Sequence, residues 1–232
     1  MIDQRGCGHN SLNMKANRKS LYPTDALSER VADGTVHAIG VLGALTGAIM
    51  LIVWSSMNTS PGQIAAIAVY GGTLIATFAA SATYHLVPWE GIRPILRRVD
   101  HAAIYLKIAG TYTPLVVMIG SWFAYLVLAV VWVLAVIGVV LKLFFWRTPG
   151  RFGPALYLIM GWLSLGLIWS LWPVVPWQAM LLIAIGGLLY TGGVPFYSTH
   201  TMKYSTAIWH GFVVAASACF FAAIWIGSAA LI

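Results

Sequence analysis

The charged residues of this chain lie only in its N-terminal part, in alternate connections, or near one end of a long apolar stretch. The 13 basic and 6 acidic side chains cluster around four segments, and three other connections carry no charge. The charged segments are residues 1–34, 87–98, 142–153 and 197–205, and the uncharged connections are residues 55–62, 119–122 and 173–177. Because Lys and Arg are retained on the cytoplasmic side of a membrane, this alternation predicts a protein that crosses a membrane several times and begins in the cytoplasm.

Seven apolar stretches separate these segments. They cover residues 35–54, 63–86, 99–119, 122–143, 154–172, 178–196 and 206–231. Most of them approach or exceed the roughly 20 residues that a spanning helix needs. Apolar residues make up 60% of the chain and charged residues 8%, whereas a soluble domain carries about 25% charged residues. The sequence therefore predicts an all-α fold, an integral membrane bundle of seven transmembrane helices.

The odd number of spans places the two termini on opposite sides of the membrane. The N-terminus is then cytoplasmic and the uncharged C-terminus lies outside. Residues 1–28 are predicted to form a disordered cytoplasmic tail, and residues 29–232 the membrane domain. The net charge of +7 follows from basic residues that stay on the cytoplasmic side and contact anionic lipid headgroups, and we therefore exclude nucleic acid as a partner.

Polar residues inside the spans gather at one depth. Ionisable groups within a membrane helix are costly, so each of them is a candidate functional residue. Under the predicted orientation, the cytoplasmic ends of spans 1, 2, 3 and 7 carry His37, Ser81, His85, Asp100, His101, Thr206 and His210. Ser81 and His85 are four residues apart, as are Thr206 and His210, so the members of each pair share one helix face.

This combination of side chains indicates a zinc site. Imidazole and carboxylate groups suit zinc, and a catalytic zinc ion keeps three protein ligands and one open position. We predict that His85, Asp100 and His210 are the metal ligands and that Ser81 orients a ligand or a bound water. Ser81 and Asp100 are also the predicted catalytic residues.

Other residues in the spans have simpler interpretations. His37 is interpreted as a structural residue that hydrogen-bonds a neighbouring helix. Lys107 lies two turns deeper than Asp100 on the same helix face, and it either neutralises Asp100 or meets an anionic group of a substrate. The pairs Gly71-Gly72, Gly186-Gly187 and Gly192-Gly193 are predicted to allow close helix packing.

Several short segments occur in a characteristic order. They are Glu29-Arg30-Val31-Ala32-Asp33, His37-Ala38-Ile39-Gly40, Ser81-Ala82-Thr83-Tyr84-His85, Asp100-His101-Ala102-Ala103-Ile104-Tyr105, Ile108-Ala109-Gly110-Thr111-Tyr112-Thr113-Pro114, Tyr190-Thr191-Gly192-Gly193 and Ala207-Ile208-Trp209-His210. Taken together, they resemble the hemolysin III family, the bacterial branch of the progestin and adipoQ receptor (PAQR) superfamily. The resemblance covers most of the chain, from residue 29 to residue 226.

The resemblance implies a seven-helix protein of the bacterial inner (plasma) membrane with a zinc site near its cytoplasmic face. The superfamily pattern has Ser-x-x-x-His on helix 2, Asp on helix 3 and His-x-x-x-His on helix 7. Ser81, His85, Asp100 and His210 match it, but Thr206 stands where the pattern has the first His of the last pair. A hydroxyl group is a poor zinc ligand, so two imidazoles remain where three are expected. We therefore expect zinc affinity to be reduced or lost.

Three functions follow as hypotheses. Animal members of the superfamily are associated with ceramidase activity, so the first is a metal-dependent hydrolase of lipid amides or esters. Its partners would be membrane lipids, and its acyl-chain substrate would enter from the bilayer. The second is a non-enzymatic regulator of membrane fluidity or energetics with a degraded metal site, which Thr206 favours. The third, a transporter or channel, lacks the support of an internal repeat or a pair of broken helices.

Overall fold

All regular elements in the described part of the chain are helices. The structure, a computed structural model, describes residues 26–145, 152–198 and 202–232, with the side chains of residues 152–155 excluded. The elements are α1 (Leu27–Asn58), α2 (Pro61–Leu86), α3 (Arg93–Ile119), α4 (Trp122–Phe144), α5 (Phe152–Trp162), a 3-10 segment (Leu163–Leu167), α6 (Ile168–Leu171), α7 (Trp177–Ser198) and α8 (Ser205–Ala229). This confirms the predicted all-α fold.

Six of these helices, α1 to α4, α7 and α8, are long and apolar enough to cross a membrane. The fifth predicted span is a shorter apolar segment, Leu156–Leu171, which contains the 3-10 segment. The hydroxyl group of Tyr112 in α3 donates towards the carbonyl oxygens of Met160 and Gly161, at 2.8 and 2.9 Å. The Tyr112 hydroxyl group thus donates to carbonyl oxygens just before the 3-10 segment, where the α-helical hydrogen-bond pattern is interrupted. The count of seven apolar segments therefore fits the prediction, with one segment interrupted.

Short uncharged turns reverse the chain between neighbouring helices. Ser60 caps α2 by accepting a hydrogen bond from the backbone N–H of Gln63 at 3.4 Å, and Pro61 occupies the first turn. At the uncharged turn between α3 and α4, Gly120 caps the C-terminus of α3. Its φ of 67° is in the left-handed region that glycine tolerates. Ser121 then caps α4. These turns make α1 and α2, and likewise α3 and α4, antiparallel neighbours.

Helix α3 lies at the centre of the bundle. In its most apolar window 61% of the residues are buried, against 17–39% in the other five long helices. It packs against α2, α4 and α8, while α1 packs against both α2 and α8, and α7 packs against α8. The first turns of α1, α3 and α8 and the last turns of α2 consequently meet at one end of the bundle, which we call the histidine end.

All three glycine pairs show the predicted close packing at one position each. A Cβ atom on Gly71 would lie 3.0 Å from the Cβ atom of Ala48, one on Gly186 would lie 2.7 Å from the ring of Phe220, and one on Gly193 would lie 3.0 Å from the Cβ atom of Phe212. The other glycine of each pair is less crowded, with no atom closer than 3.8 Å. One glycine of each pair therefore permits the contact, α2 against α1 in the first case and α7 against α8 in the other two.

Candidate metal centre

Three imidazole rings from three helices meet at the histidine end. His37 in α1, His85 in α2 and His210 in α8 each offer a ring nitrogen, and these nitrogen atoms lie within 4.8 Å of one another. The ring centroids of His37 and His210 are 4.2 Å apart, and those of His85 and His210 are 4.6 Å apart. We call these three residues the histidine group. Its members are 48 to 173 positions apart along the chain, so only the packing of α1 against α2 and α8 brings them together.

The carboxylate of Asp33 lies beside all three rings. Its Oδ1 atom is 2.7 Å from Nδ1 of His210 and 3.5 Å from Nδ1 of His37, and its Oδ2 atom is 3.8 Å from Nδ1 of His85. The Asp33 side chain is 13% exposed. Because Asp33 precedes His37 by four residues, both side chains project from the same face of α1.

The hydrogen bonds of these rings assign their protons. Nδ1 of His37 lies 2.9 Å from the backbone oxygen of Asp33, and a carbonyl oxygen only accepts, so this nitrogen carries the proton. Nδ1 of His210 likewise donates to the Asp33 carboxylate. In a neutral ring the Nε2 atom then has a free lone pair. The free lone pairs of His37 and His210 both face Ser81, whose Oγ atom is 3.2 Å from the first and 3.5 Å from the second.

This donor set fits a divalent metal ion. One hydroxyl proton on Ser81 can satisfy only one of the two Nε2 lone pairs, which leaves the other without a donor in a buried place. The carboxylate of Asp33 lies beside these rings, and its negative charge would favour a cation among them. Imidazole nitrogens whose other N–H donates to a carboxylate or backbone oxygen are the usual arrangement around zinc.

The structure brings most of the predicted site residues together. His210 contacts both Ser81 and His85. Asp100 is buried and lines the same cavity, as does Thr206, and the Oδ2 atom of Asp100 is 3.4 Å from Nδ1 of its neighbour His101. Asp100 is not one of the three residues whose ligand atoms lie within 4.8 Å. The histidine group therefore holds His37 where the sequence analysis predicts Asp100.

Sequence reasoning did not assign Asp33 or His37 to the site. The signal was present, because Asp33 and His37 have the same four-residue spacing as Ser81 and His85. His37 does hydrogen-bond a neighbouring helix, as predicted, through Ser81, and it also belongs to the histidine group. The expected loss of zinc affinity rested on a count of two imidazoles, and the structure assembles three.

Lys107 does not form the predicted contact with Asp100. Its Nζ atom donates to Oγ of Ser217 at 2.7 Å and lies over the rings of Phe78 and Tyr190, 4.7 and 5.3 Å from their centroids. Within the described ranges, no carboxylate lies within salt-bridge distance of this ammonium group. Lys107 is therefore not the counter-ion of Asp100 in this structure.

A large cavity extends from the histidine group into the bundle. Its volume is about 1130 Å³, which exceeds the roughly 300–1,000 Å³ of ordinary small-molecule sites. Beyond the histidine end its walls are mainly apolar and come from α3, the interrupted fifth segment and α7; they include Ile108, Leu115, Leu171, Trp172, Trp177 and Leu188. A single long alkyl chain can lie in this space with one end at the histidine group.

The fold and the site together define a multi-pass helical membrane protein with a histidine-rich centre at one end of its bundle. The sequence profile of the family described as "Haemolysin-III related" matches residues 26–221, and the chain belongs to this family. It is 32% identical over 199 residues to "Hemolysin-3" of Bacillus cereus, a match that covers 85% of this chain and 91% of the Bacillus protein.

Two further relatives extend the comparison. "Hemolysin-3 homolog" of Bacillus subtilis (strain 168) is 32% identical over 196 residues, with 84% of this chain and 92% of the relative covered. "Monocyte to macrophage differentiation factor" of Homo sapiens is 30% identical over 224 residues, with 85% and 83% covered. The family profile, which spans residues 26–221, includes all three members of the histidine group.

Proposed function

We propose that this protein is a metal-dependent hydrolase that cleaves amide or ester bonds in membrane lipids. The observation that carries the proposal is the position of the histidine group, which lies at the wall of an apolar cavity of about 1130 Å³. Such a reaction needs two parts: a polar centre that can hold a metal ion, and an adjoining space for an alkyl chain.

His37, His85 and His210 would hold the metal ion, and zinc suits this set of nitrogen ligands. When bound, zinc supplies Lewis-acid polarisation of a carbonyl group and activation of water. The Asp33 carboxylate keeps His210 in the tautomer whose Nε2 atom is free, through its 2.7 Å hydrogen bond. It does not need to touch the substrate, and its role is to orient the rings.

Two further side chains would act on the substrate. The Ser81 hydroxyl lies between the Nε2 atoms of His37 and His210, where it can donate a hydrogen bond to the carbonyl oxygen of the scissile group. Asp100 lines the same cavity and would accept the proton of the attacking water, because a carboxylate is a suitable general base for this step. The alkyl chain would lie along the apolar wall formed by α3 and α7.

A serine hydrolase is the second candidate. Asp33, His210 and Ser81 stand in the order of a carboxylate–imidazole–hydroxyl triad, with 2.7 Å between Asp33 Oδ1 and His210 Nδ1 and 3.5 Å between His210 Nε2 and Ser81 Oγ. In such a triad the imidazole takes the proton of the attacking hydroxyl. The free lone pair on His37, which faces the same hydroxyl group, favours the metal centre instead.

Metal removal separates the two mechanisms. We expect the purified protein in lipid nanodiscs to release fatty acid from a long-chain N-acyl amide, to lose this activity after treatment with a chelator, and to regain it with added zinc. Fatty acid release measured by mass spectrometry is the readout. Turnover that resists chelation and disappears in Ser81→Ala would support the serine mechanism. If neither amide nor ester lipids are cleaved, the hydrolase proposal is wrong.

We further propose that the histidine end faces the cytoplasm of a bacterial cell, in the inner membrane, and that residues 1–28 form a cytoplasmic tail. The alternation of charged and uncharged connections supports this orientation. The proposed boundary falls in the first turn of α1, which begins at Leu27, and residues 1–25 lie outside the described part of the chain.

Reporter fusions test this orientation. A reporter that is active only outside the cytoplasm should be active when fused after Ile232 and inactive when inserted in residues 147–151, which lie outside the described residues. A cytoplasmic reporter should give the opposite pattern. The same insertions in a fusion of known orientation calibrate both signals. Activity of the first reporter inserted in residues 147–151 would place the histidine end outside and overturn the proposal.

A further inference from the structure

A buried lysine lies in the interior of the bundle, away from the histidine group. Lys107 is in α3, seven residues after Asp100, and its relative exposure is 6%. Seven residues of α-helix correspond to about 10 Å, so the backbone of Lys107 lies roughly two turns deeper in the bundle than that of Asp100. It lines the large cavity together with Phe78 and Tyr190.

Every contact of the Lys107 ammonium group within the described part of the chain is with a neutral group. The hydroxyl group of Ser217 accepts a hydrogen bond from Nζ at 2.7 Å, since its own proton is donated to the backbone oxygen of Val213. The hydroxyl group of Tyr190 lies 3.2 Å from the same Ser217 oxygen. A lysine ammonium group has three protons, so two of them remain for another acceptor.

An isolated ammonium group is costly at this depth in a membrane protein. Buried charges in spanning helices are normally paired or face a polar pathway, and breaking such a pair is strongly unfavourable. The faces of Phe78 and Tyr190 attract the cation, but an aromatic ring carries no net negative charge and so does not neutralise it. An anion in the cavity would supply the charge that these protein groups do not.

We propose that Lys107 is the anchor of a second ligand site, which binds the carboxylate of a single-chain fatty acid with its alkyl chain in the apolar part of the cavity. This site goes beyond the proposed hydrolase and does not require a metal ion. One ammonium group matches one carboxylate charge, whereas a phosphate monoester carries about −1.5 to −2 charges and would remain partly unpaired. Ile108, Leu115 and Leu188 provide apolar wall for the chain.

Binding of radiolabelled palmitate to the full-length protein in nanodiscs tests the site. Lys107→Met keeps an unbranched side chain but removes the charge, and we expect it to weaken palmitate binding at least about 30-fold, since loss of one partner of a buried charge pair has effects of this size. Lys107→Arg keeps the charge and should retain most of the affinity. Hexadecanol, which has the same chain without the carboxylate, should bind weakly to the wild type and equally to both variants.

Three controls make the outcome specific. Lys142→Met changes another lysine on the cavity wall, at the histidine end, and should leave palmitate binding unchanged. His85→Ala should also leave it unchanged, so a failure of the hydrolase proposal and a failure of this one are distinguishable. Hexadecyl phosphate should bind less tightly than palmitate. Size-exclusion profiles and thermal melting check that each variant is folded.

Several results would overturn the proposal. They are palmitate binding to a folded Lys107→Met variant with wild-type affinity, equal binding of hexadecanol and palmitate to the wild type, and loss of palmitate binding in Lys142→Met alone. Tighter binding of hexadecyl phosphate would show that the site is not matched to a single negative charge. If Lys107→Met does not fold, the comparison of palmitate with hexadecanol on the wild type still decides the matter.

Discussion

Purified wild-type protein is expected to contain one zinc ion per chain, and His37→Ala to lose most of it. The reason is that His37 supplies one of the three ring nitrogens that lie within 4.8 Å of one another. Removing a group that only orients a ligand lowers metal affinity about 10–100-fold, so removing a ligand should lower it further. Elemental analysis after dialysis against a weak chelator measures the occupancy.

Thr206 provides a test of geometry within the same prediction. It is one helical turn from His210 and lines the same cavity. We therefore expect the double variant His37→Ala, Thr206→His to regain zinc that His37→Ala has lost, because a neutral imidazole one helical turn from His210 would replace the missing one. Asp33→Asn should give an intermediate loss, since this carboxylate orients His210.

His101→Ala is the matched control for these histidine variants. His101 is buried and lines the same cavity, but its Nε2 atom contacts the hydroxyl group of Tyr197 at 3.0 Å. Its removal should leave zinc content unchanged. Equal zinc content in wild type, His37→Ala and His101→Ala would show that the histidine group does not bind the metal.

The second expected result separates an enzyme from a regulator. The double variant His85→Ala, His210→Ala should release no fatty acid from an amide lipid and should fail to complement a deletion of the gene. Both substitutions remove imidazoles of the histidine group, on which the proposed chemistry depends. Fatty acid release and growth of the complemented strain are the measurements.

Folding must be established for this double variant. Truncation of the rings removes the hydrogen bond that His210 donates to Asp33 and its contact with Ser81, whereas Ser81 keeps His37 as a partner. Each buried group left unsatisfied costs about 1–3 kcal/mol. Thermal melting in detergent shows whether the bundle survives. A folded double variant that complements the deletion fully would contradict the enzymatic proposal and support the non-enzymatic regulator, whose helices pack without a metal ion.

The amino-acid sequence by itself determined the helices and the depth of the polar residues. Long apolar stretches have to form helices in a membrane, because backbone groups need internal partners there. The i, i+4 pairs Ser81–His85 and Thr206–His210 put polar groups on single helix faces, and the alternation of charge predicts which helix ends lie at the same level. On that basis Ser81, His85 and His210 could be predicted to meet, and the structure brings them together.

Only the tertiary structure decided which side chains complete the site. Depth along the membrane does not fix how each helix is rotated about its axis or which helices are neighbours, since both depend on side-chain packing. The packing of α1 against α2 and α8 turns Asp33 and His37 towards His85 and His210, while Asp100 remains beside His101. The packing of α8 against α3 likewise places Ser217 beside Lys107. Lateral contacts of this kind have no periodic signature in the sequence, so the sequence could not predict them.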